Sequence, residues 1–355
     1  MDLHKLGYNP FFHKHFKTLN EEDLIAGRIS CVQKNIYTIL TEYGEISADI
    51  SGKFHYHAHN KAEFPTVGDW VGIKYLNTEK RGVIENLFPR KSVFSRKDAG
   101  NKTDEQILAA NIDIAFLVSG LDGNFNIRRV ERYLSIAWEN NVSPVIVLNK
   151  ADKCDDIDKY LVEIETVAFG VPVYPVSALQ NTGLDFMDEH LKDGKTGVLL
   201  GSSGVGKTTI INSLIGAQNF RVGAIRESDS RGRHTTSFRQ LVLMPSGGVL
   251  IDTPGLREIQ IWNIDEGLKK TFTDIEELAA QCRFRDCKHN KEPGCAINRA
   301  IDDGNLKQER FNSYVKLQKE LNYLNLRQNV KANIIEKNKW KKIAIKAKAI
   351  SKRRK

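Results

Sequence analysis

Cysteine is scarce, with five in 355 residues. Five are too few and too oddly spaced for the disulfide framework of a secreted protein. No apolar run approaches the ~20 residues of a membrane-spanning helix. No N-terminal stretch has a signal-peptide core either, because His4, Lys5, His13, Lys14, His15 and Lys17 interrupt it. These absences lead to the expectation of a cytoplasmic chain with no membrane partner. Residues Lys337–Lys355 lack acid altogether yet hold ten Lys and Arg. The net charge is +9, so the rest of the chain sits near neutrality and the basicity belongs to the tail. Such a tail suits nucleic acid phosphates, with anionic lipid and a solvated, disordered end as the alternatives.

What is present is organised around residues 201–208. Gly201, Ser202, Ser203, Gly204, Val205, Gly206, Lys207 and Thr208 fit G-x-x-x-x-G-K-[ST], the phosphate-binding loop. The apolar run Val198-Leu199-Leu200 before it reads as a buried strand. The periodic stretch from Thr209 to Ile215 reads as a helix. Glycines let backbone N–H groups close round phosphates, and a helix N-terminus faces the negative charge. Lys207 is placed to reach the β- and γ-phosphates and Thr208 to ligate Mg²⁺.

Asn149, Lys150, Ala151 and Asp152 match N-K-x-D at the end of a second apolar run. A carboxylate there accepts from both guanine N1–H and the exocyclic amine, a donor pair adenine lacks. Lys150 can cover the base with its stem, and Asn149 can tie this loop to the phosphate loop. One unit later, Ser177 and Ala178 can offer backbone N–H to guanine O6. The alternative for Asp152 alone is a polar helix cap. Asp252-Thr253-Pro254-Gly255 supplies D-x-x-G, with Asp252 toward Mg²⁺ and the Gly255 N–H toward the γ-phosphate. Between the two phosphate elements, Arg231-Gly232-Arg233-His234-Thr235-Thr236-Ser237 reads as a mobile switch. Either Thr235 or Thr236 would cap Mg²⁺ and the γ-phosphate.

Four segments emerge along the chain. Residues 1–97 hold a leader and then short β-rich runs at Leu24–Val32, Ile36–Thr41, Glu45–Ile50, Trp70–Tyr75 and Gly82–Leu87. That spacing predicts a small OB-type barrel. His55, His57 and His59 read as part of a solvated loop. Arg90, Lys91, Arg96 and Lys97 form a basic exit, either an RNA contact or a linker. Residues 98–262 alternate strands (Ile114–Val118, Val145–Leu148, Val173–Val176) with helices (Arg128–Trp138, Tyr160–Phe169). This α/β pattern predicts a parallel sheet with ligands at strand C-terminal ends. Residues 263–330 form a helical module, with a helical pattern from Leu306 to Val330. Residues 331–355 are the basic tail.

Cys282, Cys287, His289 and Cys295 offer three thiolates and one imidazole within fourteen residues. Soft ligands without carboxylate suit a closed, structural, tetrahedral Zn²⁺ site. Arg283, Phe284, Arg285, Lys288 and Arg299 around them suit RNA. Cys31 and Cys154 read as small core residues.

The guanine-reading motifs precede the phosphate loop, the reverse of a typical small GTPase. With these motifs in this order, the chain resembles the bacterial circularly permuted GTPases that depend on the small ribosomal subunit. The resemblance covers nearly the full length and implies late maturation of that subunit. It also implies binding of GTP and GDP, contact with ribosomal RNA, and slow hydrolysis that the subunit stimulates. A monomer is expected. After D-x-x-G this chain has Leu256, which cannot orient water. The resemblance points to His234 for that task, with a ribosomal RNA contact as its other use.

Overall fold

The computed structural model describes residues 1–19, 21, 23–33, 36–58, 60–76, 81–97, 105–216, 239–245, 247–252, 265–323 and 326. In the N-terminal part, β1 (Leu24–Gln33), β2 (Ile36–Thr41), β3 (Gly44–Ile50), β4 (Trp70–Leu76) and β5 (Arg81–Leu87) run in the order β1-β2-β3-β5-β4. A further β1–β4 pairing closes the ring, and β3 pairs with β5 in parallel. This is the expected OB-type barrel, filled by Ile29, Ile39, Ile46, Val71, Ile73 and Ile84. β-branched side chains alternating inward pack well on such a pleated surface.

The leader packs on this barrel. Helix α1 (Pro10–Thr18) starts with Asn9 as cap and proline at its first turn. Tyr8 and Phe12 bring their rings 5.0 Å and 5.6 Å from the buried Trp70. Arg28, fully buried, joins leader, barrel and the following sheet. It donates to the carbonyls of Leu6, Gly68 and Asn111 and to Thr196 Oγ1. Burial pushes its guanidinium down to about 10, still charged at neutral pH.

Two expectations for this part are corrected. His55 and His57 lie on a short helix, α2 (Gly52–His57), although they are solvent-exposed as expected; Ser51 caps it by accepting from Phe54 N at 3.1 Å. His59 lies outside the described residues. Arg90 is neither linker nor free cation. It forks onto the buried Asp69 at 2.7 and 2.8 Å and caps the carbonyls of Ala62 and Phe64. The exit from the barrel continues into an unforeseen hairpin, β6 (Val93–Lys97) with β7 (Glu105–Ala110).

The second half of the sheet is parallel across β10 (Val173–Val176), β9 (Ser143–Asn149), β8 (Ile114–Gly120), β11 (Thr196–Leu200) and β13 (Val249–Asp252). β12 (Gln240–Leu243) adds antiparallel to β13 and touches the barrel through one register pair, Cys31 opposite Gln240. Every residue of β8 is buried, as a strand covered on both faces requires. The covering helices are α3 (Ile127–Glu139), α4 (Ile157–Glu165), α5 (Asp185–Leu191) and α6 (Lys207–Ile215). α4 starts earlier than the expected Tyr160–Phe169 because Asp156 caps it, accepting from Lys159 N at 3.2 Å. The chain runs from the edge strand β10 through α5 into β11. β9 and β10, which precede residues 149–152 and 177–178, therefore come first in sequence yet share one sheet with β11, with β8 between them and it.

Helices α7 (Asp265–Thr271), α8 (Thr273–Ala280), α9 (Ala296–Asp302) and a helix over 308–323, α10, enclose a separate core around Phe272, Ile297, Phe311 and Leu317. α7 packs backbone to backbone on α3: a Cβ on Gly267 would lie 2.0 Å from Ser135 O. Among the described residues, no helix is long and apolar enough to cross a membrane.

Candidate functional site

Loops at the C-terminal edge of neighbouring parallel strands meet here. β11 ends at Leu200 and α6 begins at Lys207, with Gly201–Gly206 between them. Gly206 has φ 96°, and a Cβ there would lie 2.2 Å from Asn149 Nδ2. Backbone conformation and close approach both demand glycine. Val205 is buried and anchors the loop. Lys207 Nζ donates to the carbonyls of Gly201 at 2.6 Å and Ser202 at 2.7 Å, which folds the ammonium over the loop.

Asn149, 2% exposed, uses both ends of its amide. Nδ2 donates to Val205 O at 2.8 Å and Oδ1 accepts from Ala178 N at 3.0 Å. One side chain thus fastens three loops. Lys150 adopts φ 67°, and its Nζ donates to Gly204 O at 2.7 Å and to Asp122. That hydrogen bond holds the Asp122 carboxyl below the usual carboxylate range. Ala151 and Asp152 sit in a 3₁₀ turn, where the exposed Asp152 accepts from Ser177 Oγ. Ser213 Oγ of α6 donates to Ala178 O at 2.7 Å and ties the same loop to the phosphate-loop helix. Asp252 closes β13, opposite Gln240, on the strand paired with β11. Ser203, Thr208 and Thr209 complete the loop and the first turn of α6.

The sequence-predicted residues at 149–152, 177–178 and 201–209 therefore come together. His234, Thr235, Thr236, Gly255 and Leu256 lie outside the described residues, as does the basic tail. Three residues were missed: Asp122, Asn124 and Arg129, which reach this site from the turn after β8 and from α3. Their signal was position, since a polar turn at the C-terminal end of a parallel strand faces the ligand crevice.

The second constellation is the candidate metal centre. The ligand atoms of Cys282, Cys287, His289 and Cys295 all lie within 4.8 Å of one another, the one such group among the described residues. His289 Nδ1 is 3.6 Å from Cys282 Sγ and 3.5 Å from Cys295 Sγ. Backbone N–H groups of Ala296 and Asn298 donate to the sulfurs of Cys282 and Cys295 at 3.4 and 3.5 Å. Such donors suit thiolate. Burial holds the His289 imidazole below its ordinary value, which favours the neutral, ligating ring. The group could hold a metal ion, and its donors are soft.

A family model described as RsgA GTPase matches residues 87–262. A small ribosomal subunit biogenesis GTPase RsgA 1 from Oceanobacillus iheyensis is 40% identical, across 98% of this chain and 99% of its own. A small ribosomal subunit biogenesis GTPase RsgA 2 from Lactiplantibacillus plantarum is 45% identical, across 88% of this chain and 89% of its own. Among solved structures, YjeQ from Thermotoga maritima superposes with a TM-score of 0.63 at 29% identity, covering 84% of this chain and 98% of that one. YloQ, titled a circularly permuted GTPase, gives 0.61 at 28% identity, covering 85% and 96%.

Proposed function

This chain belongs to the RsgA GTPase family, and from that premise we propose that it hydrolyses GTP and serves small ribosomal subunit biogenesis, as its relatives are named. The observation that carries the reading is Asn149. Its two hydrogen bonds fasten the base loop, the Ser177-Ala178 loop and the phosphate loop together. Asp152 reads the guanine edge, Lys150 covers the base with its stem, and the Ala178 loop lies toward O6. Lys207 exchanges its two carbonyl partners for β- and γ-phosphate oxygens. Thr208 and Asp252, a hydroxyl and a carboxylate on adjacent elements, are hard oxygen donors that fit Mg²⁺. When bound with GTP, that ion offsets phosphate charge. Thr235 or Thr236 and the Gly255 N–H sense the γ-phosphate. His234 orients the attacking water in place of Leu256.

Cys282, Cys287, His289 and Cys295 fit Zn²⁺, because their donors are three sulfurs and one nitrogen with N–H groups aimed at two of the sulfurs. The ion would be structural, holding the helical module in shape. The working division is 1–97, 98–262, 263–330 and 331–355, in a cytoplasmic monomer whose barrel, metal module and tail contact ribosomal RNA. The test is single-turnover GTP hydrolysis with and without purified small ribosomal subunits. Subunit-stimulated turnover that His234→Ala abolishes, with GTP affinity kept within about threefold, is the expected result. Absent stimulation in the unmodified protein would leave an RNA-binding nucleotide switch instead.

A further inference from the structure

Three arginines lie on helix α3 and Arg310 packs against it, and one of the four differs from the rest. Arg128 pairs with Glu131 at 2.6 Å, Arg132 forks onto Glu320 at 2.7 and 2.9 Å, and Arg310 of α10 meets Glu131 and Asp274 at 2.8 and 2.7 Å. Arg129 has no carboxylate partner among the described residues. Its Nη1 donates to Ser202 Oγ of the phosphate loop at 2.9 Å, and to Asn124 Oδ1 and O at 3.1 and 3.4 Å. Asn124 Nδ2 in turn reaches Ser203 O at 3.5 Å. The same Ser202 offers its carbonyl to Lys207. Two cations therefore hold one residue of the loop from opposite groups.

The helix that carries Arg129 is itself pinned. Asn126 caps its N-terminus by accepting from Arg128 N and Arg129 N. Its far face is clamped by the helical module: the Glu131 carboxylate, with no exposed surface, takes Arg310 and Ser313 Oγ. Ser135 Oγ donates to Thr271 Oγ1, and Gly267 N donates to the Glu139 carboxylate at 2.7 Å. Arg129 is thus presented to the phosphate loop by a rod that cannot swing freely.

We propose that Arg129 is a positioning residue for the terminal phosphates, holding Ser202 and stationing an unpaired positive charge behind the loop. This rests on the reading that GTP binds at residues 201–208. GTP carries about one more negative charge than GDP at neutral pH, so a fixed cation favours the triphosphate. A hydrogen bond from a charged donor that orders the loop adds to binding of both.

The test is the dissociation constant for fluorescent GTP and GDP analogues, with full-length protein carrying Arg129→Ala, Arg129→Lys, Ser202→Ala or Arg129→Ala with Ser202→Ala. Arg129→Ala should weaken GTP about tenfold and GDP only about threefold. Arg129→Lys keeps the charge but not the guanidinium Nη1 contacts, and should restore most of the GTP preference. The double variant should lose less than the two single losses combined, since both remove one contact. Equal losses for GTP and GDP, no rescue by lysine, or full additivity would overturn the proposal. Failure of the unmodified protein to bind either nucleotide would instead remove the functional reading on which it stands.

Discussion

The base-reading loops and the Cys/His cluster are both tight gatherings of polar atoms, and they are held by opposite means. At the first, donors and acceptors satisfy one another. Asn149 spends its whole amide on Val205 and Ala178, and Ser177 on Asp152. The shape exists because strands end there and their loops hydrogen-bond. At the second, four ligand atoms converge within 4.8 Å in a module that is helical, without strands, among the described residues. Three sulfurs at that distance repel once they become thiolate, and a metal ion, which this group could hold, would offset that repulsion. A nucleotide pocket can be built by the fold, whereas a site of this second kind helps to build its fold.

Testing for the proposed cation is the sharpest way to break the comparison. Chelation, or Cys287→Ser, should unfold the module around Phe272 and Phe311. Structural zinc typically supplies about 10 kcal/mol or more to such small units. Limited proteolysis within residues 265–323 should accelerate while nucleotide affinity falls by less than about tenfold. Comparable collapse of both sites would show that they are not held independently. Next in size, Asp152→Asn replaces an acceptor with a donor. GTP affinity should drop about a hundredfold, the value of two charge-assisted hydrogen bonds. Xanthosine triphosphate, with a carbonyl where guanine has its amine, should gain relative to GTP in a competition titration.

Asn149→Ala should cost about 3 kcal/mol of stability, because Val205 O and Ala178 N are left buried and unsatisfied. A denaturant midpoint close to that of the unmodified protein would deny Asn149 its fastening role. Gly206→Ala should cost about 2 kcal/mol from left-handed backbone and the approach of Asn149. Pairing it with Asn149→Ala should relieve part of that loss, read in the same titration. The smallest effect concerns His190, whose Nε2 is buried without a partner among the described residues and whose ring stacks on Phe116. Burial lowers its pKa from 6.5. The unfolded chain therefore binds the extra proton first, and stability present above 6.5 is lost as pH falls toward the lowered value. His190→Phe should flatten the pH dependence of the thermal midpoint in that window.

Much of this was legible along the chain. The runs Ile36–Thr41 and Val173–Val176 became β2 and β10 with the boundaries read from pattern alone. The phosphate loop, N-K-x-D and Cys/His spacings came together as expected, because each needs only its own strand end or turn. The reading failed where distant parts decide. Arg90 looked like a surface cation until Asp69, far back in the barrel, was found buried beneath it. A local miss stands beside it: His55 and His57, read as part of a loop, lie on a short helix that Ser51 caps. Arg129 was invisible in its own neighbourhood, since its partner Ser202 lies 73 residues away.

The sequence by itself determined which local motifs are present. The phosphate-loop, N-K-x-D and Cys/His motifs each depend on a few residues at short spacing, and backbone geometry enforces those spacings locally. Only the tertiary structure decided which distant groups share a site. Sheet order set the base loop beside the phosphate loop despite their reversed order along the chain. Packing of α10 onto α3 set which arginines were neutralised and which was left facing the phosphate loop. Contacts between residues remote in the chain depend on the joint burial of several elements, and no short stretch encodes that.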